Sequence, residues 1–208
     1  MRSGELPKFA NDTDAWLVTG SENGAYEDLT WIACFKTCLR QLVDSGRPIV
    51  GICFGHQILA DILGGRVEKF DGGWVIGRTA YETTNGTQLN AMAWHQDQVL
   101  DLPDEARRLA SSKTCKNAMM LVGGNVLGIQ PHPEFDRGIV EAALAAYTSL
   151  PSDLWDQAQA TAAEPVARDA LAEMIEVFLR SDTRDPDTLQ GQLMATYSKA
   201  NLSDERAA

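Results

Sequence analysis

No run of 18 apolar residues occurs in this 208-residue chain, so nothing in it reads as a membrane-spanning helix. No charged-then-apolar leader precedes Leu6, and the expectation is a soluble, unexported, cytoplasmic protein. Basic residues are scarce: 18 Lys and Arg stand against 29 Asp and Glu, for a net charge of −11. Nonspecific binding to nucleic acid or an anionic membrane needs clustered positive charge, so the balance argues against both, and neither is expected as a partner. The four cysteines, Cys34, Cys38, Cys53 and Cys115, form no C-x-x-C pair and show no metal-like spacing with histidine. No metal site and no cofactor are expected, and a reducing compartment fits. Cys34 and Cys38 fall four apart on a helical pattern, where they face one another or are simply packed small residues. A hydrophobic content of 44% is enough for one substantial core, or for one domain with an appendage.

The stretch from Pro48 to Gly65 stands out. The apolar run Ile49-Val50-Gly51-Ile52 has the character of a buried parallel strand, and after Cys53 an amphipathic pattern follows, closed by Gly64-Gly65. Cys53 thus sits on a strand-to-helix turn. Gly51 and Gly55 flank it at minus two and plus two, the spacing of the G-x-S-x-G nucleophile elbow. At a helix N-terminus, free N–H groups and the positive end of the helix dipole can serve an oxyanion. The alternative is a small buried cysteine after a strand.

Upstream, Ala15 to Val18 reads as a short strand ending in the loop Thr19-Gly20-Ser21-Glu22-Asn23-Gly24. Leu29, Ile32, Phe35, Leu39, Leu42 and Val43 recur at helical spacing, and Gly46 marks the C-cap. Strand, helix, strand, helix implies a right-handed parallel βαβ arrangement. Downstream the spacing predicts a strand at Val75 to Thr83 with a hairpin turn at Asn85-Gly86, giving antiparallel additions at one sheet edge. Trp94-His95-Gln96-Asp97-Gln98 is unusually polar and aromatic and can line a pocket; His95 is equally readable as a satisfied structural histidine.

A second hairpin, Ala118 to Gln130, ends at Pro131-His132-Pro133-Glu134. Two prolines hold His132 in an extended segment, where side chains at i and i+2 project the same way. Glu134 can then orient the imidazole while the other ring nitrogen takes a thiol proton. Beyond Asp136, a helix cap, the pattern predicts helices at Ile139 to Leu150, Ser152 to Ala163 and from near Pro165. Residues 181 to 208 are polar apart from Leu189, Leu193, Met194 and Tyr197, and read as a frayed tail rather than a partner-seeking helix.

G-I-C-F-G-H-Q at 51–57, T-G-S at 19–21, W-H-Q-D-Q-V at 94–99 and G-I-Q-P-H-P-E-F at 128–135 together resemble the class I (triad) glutamine amidotransferases. Within that family the chain looks closest to stand-alone amidotransferase-like proteins and γ-glutamyl peptidases. The resemblance implies an α/β fold of flavodoxin-like type, an open, mostly parallel sheet flanked by helices. It implies that Cys53 attacks the γ-amide of glutamine, with His132 and Glu134 as base and orienting acid, as in a glutaminase-type hydrolase or transferase subunit. Backbone N–H groups of Gly20 and Phe54 would hold the oxyanion, and Gln57, His95 and Gln96 would contact substrate.

Two departures follow from the same resemblance. Members begin with a strand and helix before the T-G-S loop, which here arrives by residue 19. The usual first strand and helix are therefore expected to be absent, baring a strand edge and apolar surface beside Ala15 to Val18. Either Met1 is an internal start or this form is unstable or inactive. The second departure is at the other end, where no synthase domain follows. The expected division is a 1–150 amidotransferase-like α/β domain, a 151–180 helical extension packed on it and a 181–208 polar tail. Three functions fit: glutamine hydrolysis for a separate ammonia-accepting synthase, a stand-alone γ-glutamyl peptidase, and a non-catalytic cysteine-elbow binding or sensing protein. The sequence does not set the oligomeric state.

Overall fold

The computed structural model describes residues 6–7, 13–148 and 150–204, the side chains of 198–204 excepted. Strand β1 (Trp16–Val18) leads through helix α1 (Thr30–Asp44) to β2 (Ile49–Ile52) and α2 (Phe54–Ile62). Six strands follow in succession: β3 (Arg66–Lys69), β4 (Val75–Thr83), β5 (Gln88–His95), β6 (Asp97–Asp101), β7 (Ala106–Ser111) and β8 (Met119–Val122). Strand β9 (Val126–Ile129) closes the sheet region. Helices α3 (Arg137–Ala146), α4 (Ser152–Thr161), α5 (Arg168–Arg180) and α6 (Pro186–Asp204) complete the chain.

Seven strands form one sheet in the order β1-β2-β9-β8-β7-β4-β5, and β3 and β6 form a separate antiparallel pair. Pairing is parallel from β1 through β2 to β9, the part that carries the elbow. The antiparallel additions expected at one edge extend the sheet from β9 onward. Strand alternation sorts the buried side chains between the two faces. Val50, Ile52, Met119, Leu121, Leu127 and Ile129 pack with α5 and α6, whereas Ile49, Met120, Val122 and Val126 pack with α1 and α2. Helix α1 ends as its sequence suggests, with Gly46 at φ +71° donating to the Val43 carbonyl.

Among the described residues nothing pairs with the outer edge of the first strand. β1 pairs with β2 alone among the described residues, and Leu17 on it is 60% exposed. An apolar groove of about 510 Å³ runs beside it, lined by Trp16, Trp31, Phe35 and Phe54. All four cysteines are free; on α1, Cys38 is buried and Cys34 is exposed.

The 181–208 stretch differs from the tail expected of it. Residues 186–204 form α6, and Leu189, Leu193, Met194 and Tyr197 are buried in the main core with α5 and β8. The Tyr197 hydroxyl donates to the sulfurs of Met174 and Met119. The physical reason is periodicity. Mean polarity weighed against ordering, but four apolar side chains at i, i+4, i+5 and i+8 make one stripe, and burying each is worth about 1.5–3 kcal/mol. Residues 205–208 lie outside the described residues.

Candidate active site

The nucleophile turn is built by crowding. Cys53 continues the ladder of β2 by donating its N–H to the Ile129 carbonyl at 2.8 Å, then turns at φ +52°, ψ −107° into α2. It is the single non-glycine residue with positive φ among those described, a conformation worth about 1–3 kcal/mol of strain. The flanking glycines are required by close approach. A Cβ on Gly51 would collide with the backbone of Gly55, and one on Gly55 with the Val18 carbonyl. The N-terminus of α2 therefore presses against β1 and β2, with Phe54 in the first helical position beside the sulfur.

His132 is fixed by three contacts. Its N–H donates to the Met92 carbonyl at 2.8 Å, its ring stacks on Phe135 at 4.2 Å between centroids, and its Nδ1–H donates to Glu134 Oε1 at 2.7 Å. Nε2 is buried and has no hydrogen-bond partner among the described residues. Burial would lower the imidazole's pKa, but the neighbouring Cys53 and the Glu134 carboxylate outweigh it and hold His132 at about 9, above its ordinary 6.5. Burial raises the Glu134 carboxyl, and its bond to His132 more than reverses that, so it lies below its usual value. Gly20 sits between the two: a Cβ there would be 3.6 Å from His132 Cε1 and 4.0 Å from Cys53 Cβ. The Cys53 thiol donates to the Trp94 carbonyl at 3.8 Å.

Cys53 opens into a cleft of about 490 Å³, which Gln57, His95 and Gln96 also line. Gln57 is buried and its Nε2 donates to the Asp97 carbonyl at 2.8 Å and to Gln130 Oε1 at 3.1 Å, tying the 94–98 segment to α2. His95 is 3% exposed with both ring nitrogens unpartnered among the described residues; burial first, then repulsion from His132, lowers its pKa to about 3 and keeps it neutral. His56 is different. It is the structural histidine here, donating from Nε2 to the Asn117 carbonyl at 3.0 Å, and burial lowers it to about 4.

One wall of the cleft is aromatic, with Trp94 edge-on to Tyr147 at 5.6 Å and Tyr147 edge-on to Trp74 at 6.4 Å. The other wall holds Asp97, Tyr26, Glu27, Glu22 and, opposite Asp97, Lys69. Sequence reasoning missed this second wall. Asp97 belongs to the polar stretch already noted, but its hydrogen bond from Tyr26, 71 residues away, carries no local signal.

Comparison with known proteins places the chain in one family. The model of the class I glutamine amidotransferase family matches residues 10–146. The chain is 35% identical over 176 residues to γ-glutamyl peptidase 5 of Arabidopsis thaliana, covering 76% of this chain and 70% of that protein. It is 40% identical over 112 residues to the glutamine-hydrolysing GMP synthase of Aeropyrum pernix, covering 50% of this chain and 22% of that protein. It spans 61% and 57% of the length of two further Arabidopsis γ-glutamyl peptidases. The crystal structure of a glutamine amidotransferase from Methylobacillus flagellatus shares the fold, with a TM-score of 0.68 at 23% identity over 96% of this chain and 81% of that one.

Proposed function

Since this chain belongs to the class I glutamine amidotransferase family, we propose that it hydrolyses γ-glutamyl amide bonds through a thioester on Cys53, with glutamine as the simplest substrate. The observation that carries the reading is the His132–Glu134 pair, 2.7 Å apart, seated beside a cysteine on a strained elbow. A structural or sensing cysteine needs no such pair.

The chemistry follows from the placement. Cys53 Sγ attacks the γ-carbonyl carbon while His132 Nε2 takes the thiol proton. The oxyanion accepts from the N–H groups of Gly20 and Phe54, each such donor being worth about 3 kcal/mol. The C–N bond then breaks and His132 returns its proton to the departing nitrogen. Because His132 is held at about 9, it keeps that proton through the neutral range until the leaving group needs it. Water, deprotonated by the same imidazole, cleaves the γ-glutamyl thioester, releasing glutamate and restoring the thiol. In the glutamine reading the ammonia passes to a separate synthase or is simply released.

A second reading, a stand-alone γ-glutamyl peptidase, is favoured by the aromatic wall of Trp74, Trp94 and Tyr147 and by a cleft in the size range of a ligand larger than one amino acid. Incubation with L-glutamine and with γ-glutamyl-tryptophan, following glutamate, ammonia and tryptophan, separates the two. Ammonia from glutamine alone supports the first, and faster tryptophan release supports the second. Turnover that persists in Cys53→Ala protein overturns both.

A further inference from the structure

We propose that Phe135 is a positioning residue for the hydrolysis: its ring, stacked on the His132 imidazole and backed by Trp94, sets the plane in which Nε2 meets Cys53 and stabilises the cationic form of the base. The inference rests on the γ-glutamyl hydrolase reading and adds to it a residue that acts through the base. The two rings stack at 4.2 Å between centroids with 30° between their planes, the shortest ring separation among the described residues, where the other pairs lie at 5.6 to 6.4 Å. A hydrogen bond from Nδ1 to Glu134 fixes a direction at one ring atom, whereas a ring face fixes a plane.

The local sequence builds this stack. His132 donates its N–H to the Met92 carbonyl at 2.8 Å and forms an isolated antiparallel bridge there, which pins the base to β5. The chain then reverses. The Phe135 N–H donates to the His132 carbonyl at 3.3 Å, closing a turn with Pro133 at its second position, where a φ near −65° is wanted. That reversal lays ring 135 back over ring 132. Trp94 stands behind it, 6.3 Å from Phe135 and tilted by 51°, and packs with Met92 and Phe135 in one cluster. The same strand holds the nucleophile, since the Trp94 carbonyl accepts from the Cys53 thiol at 3.8 Å. Met92 and Trp94 are two apart on β5, so one strand spaces base and nucleophile, and the freedom left to the base is rotation of its ring. Stacking also acts electrostatically. The face of an aromatic ring is negative and attracts a cation within about 6 Å, most strongly where water is excluded. His132 is 7% exposed, so the attraction is little screened. The groups that face the imidazole are Glu134 on its own turn, Cys53 at the head of α2 and His95 at the end of β5. Glu134 and Cys53 favour the imidazolium, and His95, kept neutral by burial, brings no charge. Phe135 acts in the same direction as Glu134 and Cys53.

Titration of the imidazole by NMR tests this without turnover. The chain has three histidines, and burial holds His56 at about 4 and His95 at about 3, so above neutral pH the ring-proton signals follow His132 alone. The proteins compared are the unmodified chain, Phe135→Leu, Phe135→Tyr and Phe135→pentafluorophenylalanine, which keeps the ring's shape but reverses the charge on its face. His132 is expected to titrate about 0.4–0.7 pH unit lower in Phe135→Leu and at least as far down in the fluorinated protein. The alkaline limb of kcat should follow it with KM little changed, and Phe135→Tyr should restore both. If Phe135→Leu fails to fold, the fluorinated protein, close to the native side chain in size, decides alone. His132 titrating at the same pH in all of them, or falling in Phe135→Leu but not in the fluorinated protein, overturns the proposal. Glutamate release by the unmodified enzyme is a separate readout: its absence, with the shift intact, would sink the hydrolase reading and leave the stack's hold on the imidazole standing.

Discussion

Replacing Glu134 with Gln keeps the size of the side chain and an oxygen for the imidazole N–H but removes the charge. His132 stands at about 9 instead of 6.5, a difference worth ~3.4 kcal/mol at about 1.4 kcal/mol per pKa unit. Cys53 and Glu134 share that gain after burial has opposed it. The Glu134 side chain is 50% exposed, so solvent screens its share, and about 1 kcal/mol is assigned to it. The alkaline limb of kcat should therefore move down by about 0.7 pH unit. Through the neutral range the imidazole still holds its proton, so kcat should change little there and the loss should grow to about fivefold above pH 9, with KM little changed. Stability should change with the same sign. A raised histidine pKa contributes stability that is full below 6.5 and lost as pH climbs through about 9, so the variant should lose it earlier in that window. Parallel pH–rate profiles and urea titrations of the two proteins are the assay. An alkaline limb at the same pH in both, or a rise in KM with kcat intact, would refute the assignment of Glu134 as the group that holds the imidazole.

The elbow should tolerate no side chain at position 55: Gly55→Ala drives a Cβ into the Val18 carbonyl, and a loss of about 1–3 kcal/mol or more in denaturant unfolding is expected, with loss of activity. Unchanged stability would mean that α2 does not press on β1. Leu193→Ala should cost about 2–5 kcal/mol, since Leu193 is wholly buried in the main core; an unaffected unfolding midpoint would mean that α6 is not packed there.

Much of the site could be read from local pattern because its chemistry depends on local backbone. The elbow is a strand, a turn and a helix in sequence, and the two glycines mark where backbones touch. Pro131 and Pro133 stiffen the segment that presents His132, and the i, i+2 spacing to Glu134 predicts the hydrogen bond that the fold shows at 2.7 Å. Helix α6 was harder because its apolar residues occupy one narrow stripe in a polar stretch, and only the partner surface on α5 and β8 shows that the stripe is covered. The Asp97, Tyr26 and Lys69 wall was out of reach for another reason. It forms when a loop after β1 and two short strands meet, contacts set by topology and not by spacing. The oxyanion roles proposed for Gly20 and Phe54 rest on backbone N–H groups, which every residue carries, so position alone singles them out.

The central claim is a covalent one, that a γ-glutamyl group rests on the sulfur of Cys53 partway through turnover. Rapid acid quench of the enzyme during turnover of a γ-glutamyl substrate, followed by peptide mass spectrometry, tests it directly. The account predicts one γ-glutamyl adduct on the peptide carrying Cys53, accumulating in the Glu134→Gln variant if thioester hydrolysis slows more than its formation. Glutamate release with no acyl group ever found on Cys53, or release that continues in Cys53→Ala protein, would contradict it.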